Sequence, residues 1–401
     1  MYMTRFLSQY KSNPEALYLP PEGPNSGYLV IQDEESETYS FFGLYKNKYL
    51  LSLPFPQNKA LTTRYSSGTG KRKRVSHNEV LFIPVLDQPL SSNLYYAIKP
   101  HGSHKGEAFA CSKEEDMMSC CLCNCVIDVN PRPLDPYDVY QQFEIIPYET
   151  FFKGDGSFYA KSIAEDGYPP NFLRRKGWEI YTKTPTNYEL HEAKGIDDAL
   201  RSRLPEFSFP HSTKTSNSVV VGKWYCPFMF IKEGKLTDQV KTSIFYEIAL
   251  EQKWELVFEQ KHDHNNKGNV VHVKVAFPSE VVFIGEGWRE AVWDEGNMVN
   301  GVLQFISRGD NNGNEEIVGL NREVFERMRW EEERFGWGGG REKTQKRIES
   351  INRKEKFEGI GGWKRFGCYV LVERFVLKRM DGSLVLAYDF YHARHIRTIF
   401  D

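Results

Sequence analysis

Asp381-Gly382 lies between two apolar runs, Cys368 to Leu377 and Ser383 to Phe390. An Asp-Gly pair tolerates the positive φ values that a two-residue type I′ turn demands, so the spacing predicts an antiparallel hairpin here. In the first run Val370 and Val372 share one face, and Tyr369 and Leu371 share the other. Apolar side chains on both faces imply a strand covered from both sides.

Similar signals recur upstream. Gly27 to Gln32 and Tyr39 to Tyr45 flank an acidic turn, Asp33 to Glu37, and read as a second hairpin. Val80 to Leu86 and Leu94 to Ile98 read as strands, and Val219 to Ile231 is the most apolar run. Thr242 to Phe258 favours a strand, although Lys235 to Lys241 before it looks helical. Residues 57–78 read as a loop that ends in the basic run Lys71 to Arg74. Ile196, Leu200 and Leu204 have helical spacing, which predicts a short helix near 196–204. The strongest helix signal is Asn321 to Phe335, with Asn321 as N-cap, Val324, Phe325 and Met328 on one face, and a glycine stop from Gly336 to Gly340. Arg341 to Glu358 reads as a solvated loop or helix.

These signals predict an α+β fold, predominantly antiparallel β, with two packed β units and a few short helices. The expected division is an N-terminal β-rich unit at 1–150, a connector with a short helix at 151–218, and a C-terminal β-rich unit at 219–401. A length of 401 residues suits two or three units at about 150 residues each. A shift of 142 residues lays Trp224 to Phe258 on Phe366 to Phe400 with matching apolar pattern, which raises the question of internal duplication.

Charge narrows the function classes. With 52 basic and 54 acidic side chains, the net charge of −2 gives no global field for nucleic acid or an anionic membrane. No stretch approaches the roughly 20 apolar residues of a membrane helix. Met1 to Leu17 has no apolar run of signal-peptide length, and Tyr2 excludes N-myristoylation. Seven cysteines without a secretory signal imply reduced thiols, so a cytoplasmic location is expected, with a nuclear one if the basic run acts as an import signal.

The most unusual segment holds Cys120, Cys121, Cys123 and Cys125. On a strand, Cys121, Cys123 and Cys125 would share one face. Three readings stay open: half-buried thiols, S-acylation that ties the chain to a membrane, and a metal site lacking the usual paired spacing. His101, His104 and Lys105 share a Gly-bearing turn suited to an anion. His262, His264 and His272 read as surface histidines rather than metal ligands. Ser67 to Arg72 lacks the phosphate-loop pattern, because Tyr65 and Arg72 occupy its Gly and Ser/Thr places. No nucleophile elbow, zinc-protease helix or dinucleotide loop is present. The residues therefore predict a non-enzymatic protein that binds an unidentified protein or small ligand, without a cofactor. The alternative is an enzyme whose site is assembled from distant residues, with the His101–His104 turn as its centre.

Several strings carry a resemblance: Pro21 to Val30 (PEGPNSGYLV), Leu53 to Lys59 (LPFPQNK), Gln88 to Tyr96 (QPLSSNLYY), Gly222 to Phe228 (GKWYCPF) and Gly367 to Phe375 (GCYVLVERF). Together they resemble the plant-specific family labelled domain of unknown function 1262. The resemblance implies an intracellular land-plant protein of a multi-copy family linked with stress or pathogen response. It implies no activity, cofactor or catalytic residue.

Overall fold

A computed structural model describes the chain except for residues 41–44, 69–72, 121–122, 150–155, 211–212, 263–268, 308–314, 339–346 and 361. Strands occupy 47% of the chain and helices 16%, so the expected β-rich α+β class holds. The chain divides into two compact units. One comprises Met1–Ala193 with Tyr225–Phe245, the other Lys194–Trp224 with Tyr246–Asp401.

The first unit is organised around a ring of antiparallel strands. In spatial order these are Ser157–Ser162, Gln142–Pro147, Leu94–Ile98, Arg74–Pro84, Ala60–Ser67 and Trp178–Lys183. The last strand pairs back onto the first through Ser157↔Glu179 and Phe158↔Trp178, which closes a barrel. Closure removes the free edges that an open sheet would leave unpaired. Alternation fills the interior with Leu61, Val80, Phe82, Phe143, Phe158, Trp178 and Ile180, all buried. Phe55 reaches into this core and packs 5.1 Å from Phe158 and 5.3 Å from Phe82. Each such ring, fully withdrawn from water, contributes about 1.5–3 kcal/mol.

Two expectations change here. The proposed loop at 57–78 is largely two strands, because Leu61 and Val80 are barrel-interior positions that their polar neighbours disguise. Within its basic run, Lys71 and Arg72 lie outside the described residues. Gly27–Ile31 does not form a hairpin with the segment after it. It pairs in parallel with Tyr2–Phe6, from Tyr2↔Gly27 to Phe6↔Ile31, while Tyr39–Ser40 pairs with Tyr45–Lys46.

The second unit is built on the long antiparallel strands Phe245–Lys261, Arg365–Arg379 and Leu384–Phe400, with Glu280–Ile284 against the last. The middle strand is buried on both faces from Phe366 to Glu373, as its apolar pattern implied. Its hairpin connection differs in type from the expectation. Gly382 N–H donates to Arg379 O at 2.9 Å, and Arg379 N–H to Ser383 O at 2.9 Å, leaving a three-residue loop, Met380-Asp381-Gly382. Only Gly382 has positive φ, at +87°, so the turn is type I with glycine in the left-handed position, not type I′.

The helix Arg322–Arg334 follows Asn321 and ends before Gly336, close to its expected bounds. The charged segment after it corrects the loop-or-helix reading. Ile348–Lys356 is a strand paired with Val270–Pro278, and Ile351 joins Val271 and Val273 in the core. The apparent repeat is not one of structure. Phe366 to Phe400 is one hairpin, whereas Trp224 to Phe258 runs through a strand, a 3-10 turn, a short strand, the helix Leu236–Thr242 and another strand.

Candidate functional site

The outward face of the barrel is polar where it meets solvent. Thr62 stands opposite Glu79 on one side and Tyr181 on the other, and Ala60 is opposite Lys183. Further along, Leu81 continues this face but is buried. The cover comes from three segments of the same unit: the turn at 100–105, the loop at 184–188 and the helix Leu236–Thr242. Between them and the strands lies a cavity of about 490 Å³. That size falls within the range of small-molecule sites.

The turn is locked onto the helix by Gly106. Its φ is +87°, and a Cβ there would lie 2.9 Å from both Leu236 Cγ and Val240 Cγ2. Glycine satisfies the backbone angle and the close approach together. Gly106 N–H donates to Lys99 O at 2.7 Å and Lys99 N–H to Glu107 O at 2.9 Å, which closes the turn.

The cavity's chemistry is amphipathic. Leu81, Val240, Ile244, Pro100 and Tyr188 supply apolar wall, while Lys59, Lys105, Lys183 and Lys241 supply ammonium groups. Glu79 is the one acidic side chain in the lining among the described residues, and His101 Nε2 lies 3.4 Å from its Oε2. Lys241 pairs with Asp238 at 3.1 Å. Lys59, Lys105 and Lys183 have no hydrogen-bond or ion-pair partner among the described residues. Partial burial lowers the pKa of Lys59, with Lys46 adding to the effect and Glu37 opposing it, and burial lowers that of Lys105, with Lys241 adding and Asp238 opposing. A neighbouring cavity of about 490 Å³ shares Thr62, Glu79 and Lys183 and extends past Arg64 and His77 to Tyr49 and Tyr181, whose rings meet edge to face at 5.2 Å. Among the described residues, the cavity of about 580 Å³ beside Leu17, Leu51 and Leu90 has Glu149 as its charged lining residue.

The second unit holds a buried ionic cluster. Arg201 Nε donates to Glu373 Oε1 at 2.9 Å, and its Nη2 pairs with Glu373 Oε2. Arg201 also reaches Glu332 Oε1 at 3.4 Å and Glu331 O at 3.1 Å, and its guanidinium lies 4.2 Å above the Phe335 ring. His392 Nε2 is 2.8 Å from Glu332 Oε2 and 3.4 Å from Glu373 Oε2. Gln252 Nε2 donates to Glu373 Oε1 at 2.7 Å. Burial would lower the His392 pKa, but hydrogen bonds to the two carboxylates reverse this and hold it at about 9. Burial, with Glu373 alongside, pushes Glu332 up to about 8. Burial opposes ionisation of Glu373 too, but the bonds from His392 and Arg201 win and hold it well below the usual carboxylate range.

Glu332, Glu373 and His392 each offer a ligand atom, all within 4.8 Å of one another. A resident metal would have to displace the protons that His392 and Glu332 hold near neutral pH and compete with Arg201 and Gln252 for the Glu373 oxygens. The cluster reads as a structural ion network.

The sequence candidates are placed as follows. His101 and Lys105 line the cavity. His104 sits in the same turn at φ +60° with Nδ1 2.7 Å from Glu107 Oε2, and is not among the lining residues. Cys120 and Cys123 are paired positions of a two-stranded ribbon, Met117–Cys120 with Cys123–Val126. Cys125 on that ribbon is exposed and unpaired, and Cys121 lies outside the described residues. His272 is exposed, His262 packs 4.6 Å from Trp363, and His264 lies outside the described residues. Sequence reasoning missed Lys59 and Lys183 in the cavity and the whole ionic cluster.

Residues 22–122 match the family model described as protein of unknown function, DUF1262. No curated protein matches the chain. Among solved structures, "Crystal structure of Cry35Ab1" is similar at 11% identity and a TM-score of 0.47, covering 86% of this chain and 90% of that one. At that TM-score the likeness carries no argument about function.

Proposed function

We propose that the chain is a non-enzymatic binding protein whose ligand is a small molecule held in the cavity on the barrel's outward face. The observation that carries this reading is the cavity itself: about 490 Å³, walled by Leu81, Val240, Ile244 and Tyr188, with unpartnered lysines at its margin. Apolar walls with a few polar groups are the usual makeup of a ligand site. A cytoplasmic setting belongs to the proposal, and the unpaired buried thiols of Cys111 and Cys368 suit a reducing compartment.

The test uses a neutral apolar probe, N-phenyl-1-naphthylamine, whose fluorescence rises on leaving water. Wild type is compared with Ala60→Trp, which adds a ring at an exposed lining position. Saturable one-to-one binding that Ala60→Trp abolishes, with an unchanged circular dichroism spectrum, supports the reading. Equal binding in both proteins overturns it, as does the absence of binding both of this probe and of its anionic sulfonate analogue.

A further inference from the structure

We propose that the ligand of this cavity is an organic anion with an apolar body, its acidic group held by Lys59 and Lys105 and its body resting on Leu81, Val240 and Ile244. The inference rests on the ligand-site reading above and names the chemical class that site would take.

Among the described residues, four lysines line one cavity against a single carboxylate, Glu79, and that carboxylate faces His101. Lys241 has Asp238, while Lys59, Lys105 and Lys183 have no partner among the described residues. Lys59 and Lys105 are also half-buried, so water screens them less than it would an open surface. Burial lowers the pKa of each, with Lys46 adding to the effect at Lys59 and Lys241 at Lys105. An anion in the cavity would offset that cost and accept charge-assisted hydrogen bonds from the ammonium groups.

The walls define the rest of the ligand. Val240 and Ile244 are buried at 2% and 6% exposure and Leu81 at 7%, so the floor beneath the lysines is apolar. Inorganic phosphate alone would leave that floor unused. A nucleic-acid strand would need a basic stripe along an open surface, whereas these lysines stand around a cavity bounded by Pro100, Pro185 and Tyr188. A carboxylate, sulfonate or phosphate ester on a ring or short chain uses both features.

Two dyes with the same ring body test this: 1-anilinonaphthalene-8-sulfonate, which carries the anion, and N-phenyl-1-naphthylamine, which does not. Both are titrated onto wild type, the double variant Lys59→Gln/Lys105→Gln, and Ala60→Trp. Thr186→Trp, at another exposed lining position, replaces Ala60→Trp should the latter lose its circular dichroism spectrum. The sulfonate is expected to bind wild type about tenfold or more tightly than the neutral dye, as one or more hydrogen bonds to a charged group would give. The double variant is expected to lose about that factor for the sulfonate and less than about twofold for the neutral dye. Equal affinities for the two dyes, or a sulfonate affinity unchanged in the double variant, overturn the anion while the ligand site stands. Binding that survives both cavity-filling variants, or no binding of either dye, overturns the anion and the ligand site together.

Discussion

Replacing Arg201 with Met removes the cation at the centre of the second unit's ionic cluster while keeping an unbranched apolar stem. Arg201 is 1% exposed and serves three carboxylates, each with 0% side-chain exposure: Glu331, Glu332 and Glu373. Without it, Glu331 retains Arg327 and Arg334, while Glu332 and Glu373 retain His392, and Glu373 also Gln252. The anionic Glu373 then loses its guanidinium and shares the one imidazolium with Glu332, whose carboxyl burial keeps protonated up to about pH 8. Breaking a buried pair by deleting one partner costs about 3–5 kcal/mol, most of it from the stranded charge. At about 1.4 kcal/mol per factor of ten, amide exchange in Arg365–Arg379 and Leu384–Phe400 should accelerate by about two to four powers of ten wherever it proceeds by unfolding of the unit. Hydrogen exchange with peptide resolution reads this, and barrel peptides serve as the internal reference. The paired variant Arg201→Met/Glu373→Met should recover part of the loss, because it no longer buries an unmatched charge at Glu373. Acceleration below about tenfold in the single variant, or a paired variant worse than the sum of its parts, would refute the reasoning.

The same cluster predicts a pH dependence. His392 is raised from 6.5 to about 9, so its contribution to stability is complete below about pH 6.5 and lost as pH rises through 9. Glu332 is raised from 4.5 to about 8, so folding retains a proton that the unfolded chain releases, and stability again falls with rising pH, between about 4.5 and 8. Thermal unfolding of the second unit should therefore occur at lower temperature at pH 9.5 than at pH 6.5; a rise would contradict the assignment. Gly106→Ala should destabilise the first unit by about 1–3 kcal/mol through its φ of +87° and the 2.9 Å approach to Leu236 and Val240, read as a lower denaturant midpoint. Cys125 should react with a thiol reagent far faster than Cys111 and Cys368, which are buried and whose pKa values burial pushes up to about 11; mass spectrometry of a labelling time course checks the order. Changing Cys120, Cys121, Cys123 and Cys125 to Ser should lower the membrane-associated fraction in cells if those thiols are acylated, and equal fractions would remove that reading.

Much of the fold was legible because alternation is a local signal. Val370 and Val372 against Tyr369 and Leu371 announced a doubly buried strand, and it is one. The helix Arg322–Arg334 was legible from Val324, Phe325 and Met328. The strand at 60–67 and the start of the one at 74–84 escaped because the outward barrel face places Thr62, Arg64, His77 and Glu79 between the core residues, and their polarity mimics a loop. Long-range pairing such as Tyr2–Phe6 beside Gly27–Ile31 has no local mark at all.

The ionic cluster leaves a trace in the sequence. Val324, Met328, Glu331 and Glu332 fall at helical spacing on one stripe, so the apolar face is continued by two carboxylates. Glu373 likewise interrupts an apolar strand. A charge standing where the periodicity demands an apolar residue implies a buried partner, but the sequence does not name Arg201 or His392 as that partner. The cavity was half legible. The Gly-bearing turn flagged His101 and Lys105, whereas Lys59 and Lys183 are brought there by barrel pairing.

The most direct measurement is a crystal structure of the protein with 1-anilinonaphthalene-8-sulfonate bound. The sulfonate is expected within hydrogen-bonding distance of the Lys59 or Lys105 ammonium, with the rings against Leu81, Val240 and Ile244. A dye seated beside Leu51 and Leu90, or one in this cavity with its sulfonate turned away from every lysine, would contradict the assignment.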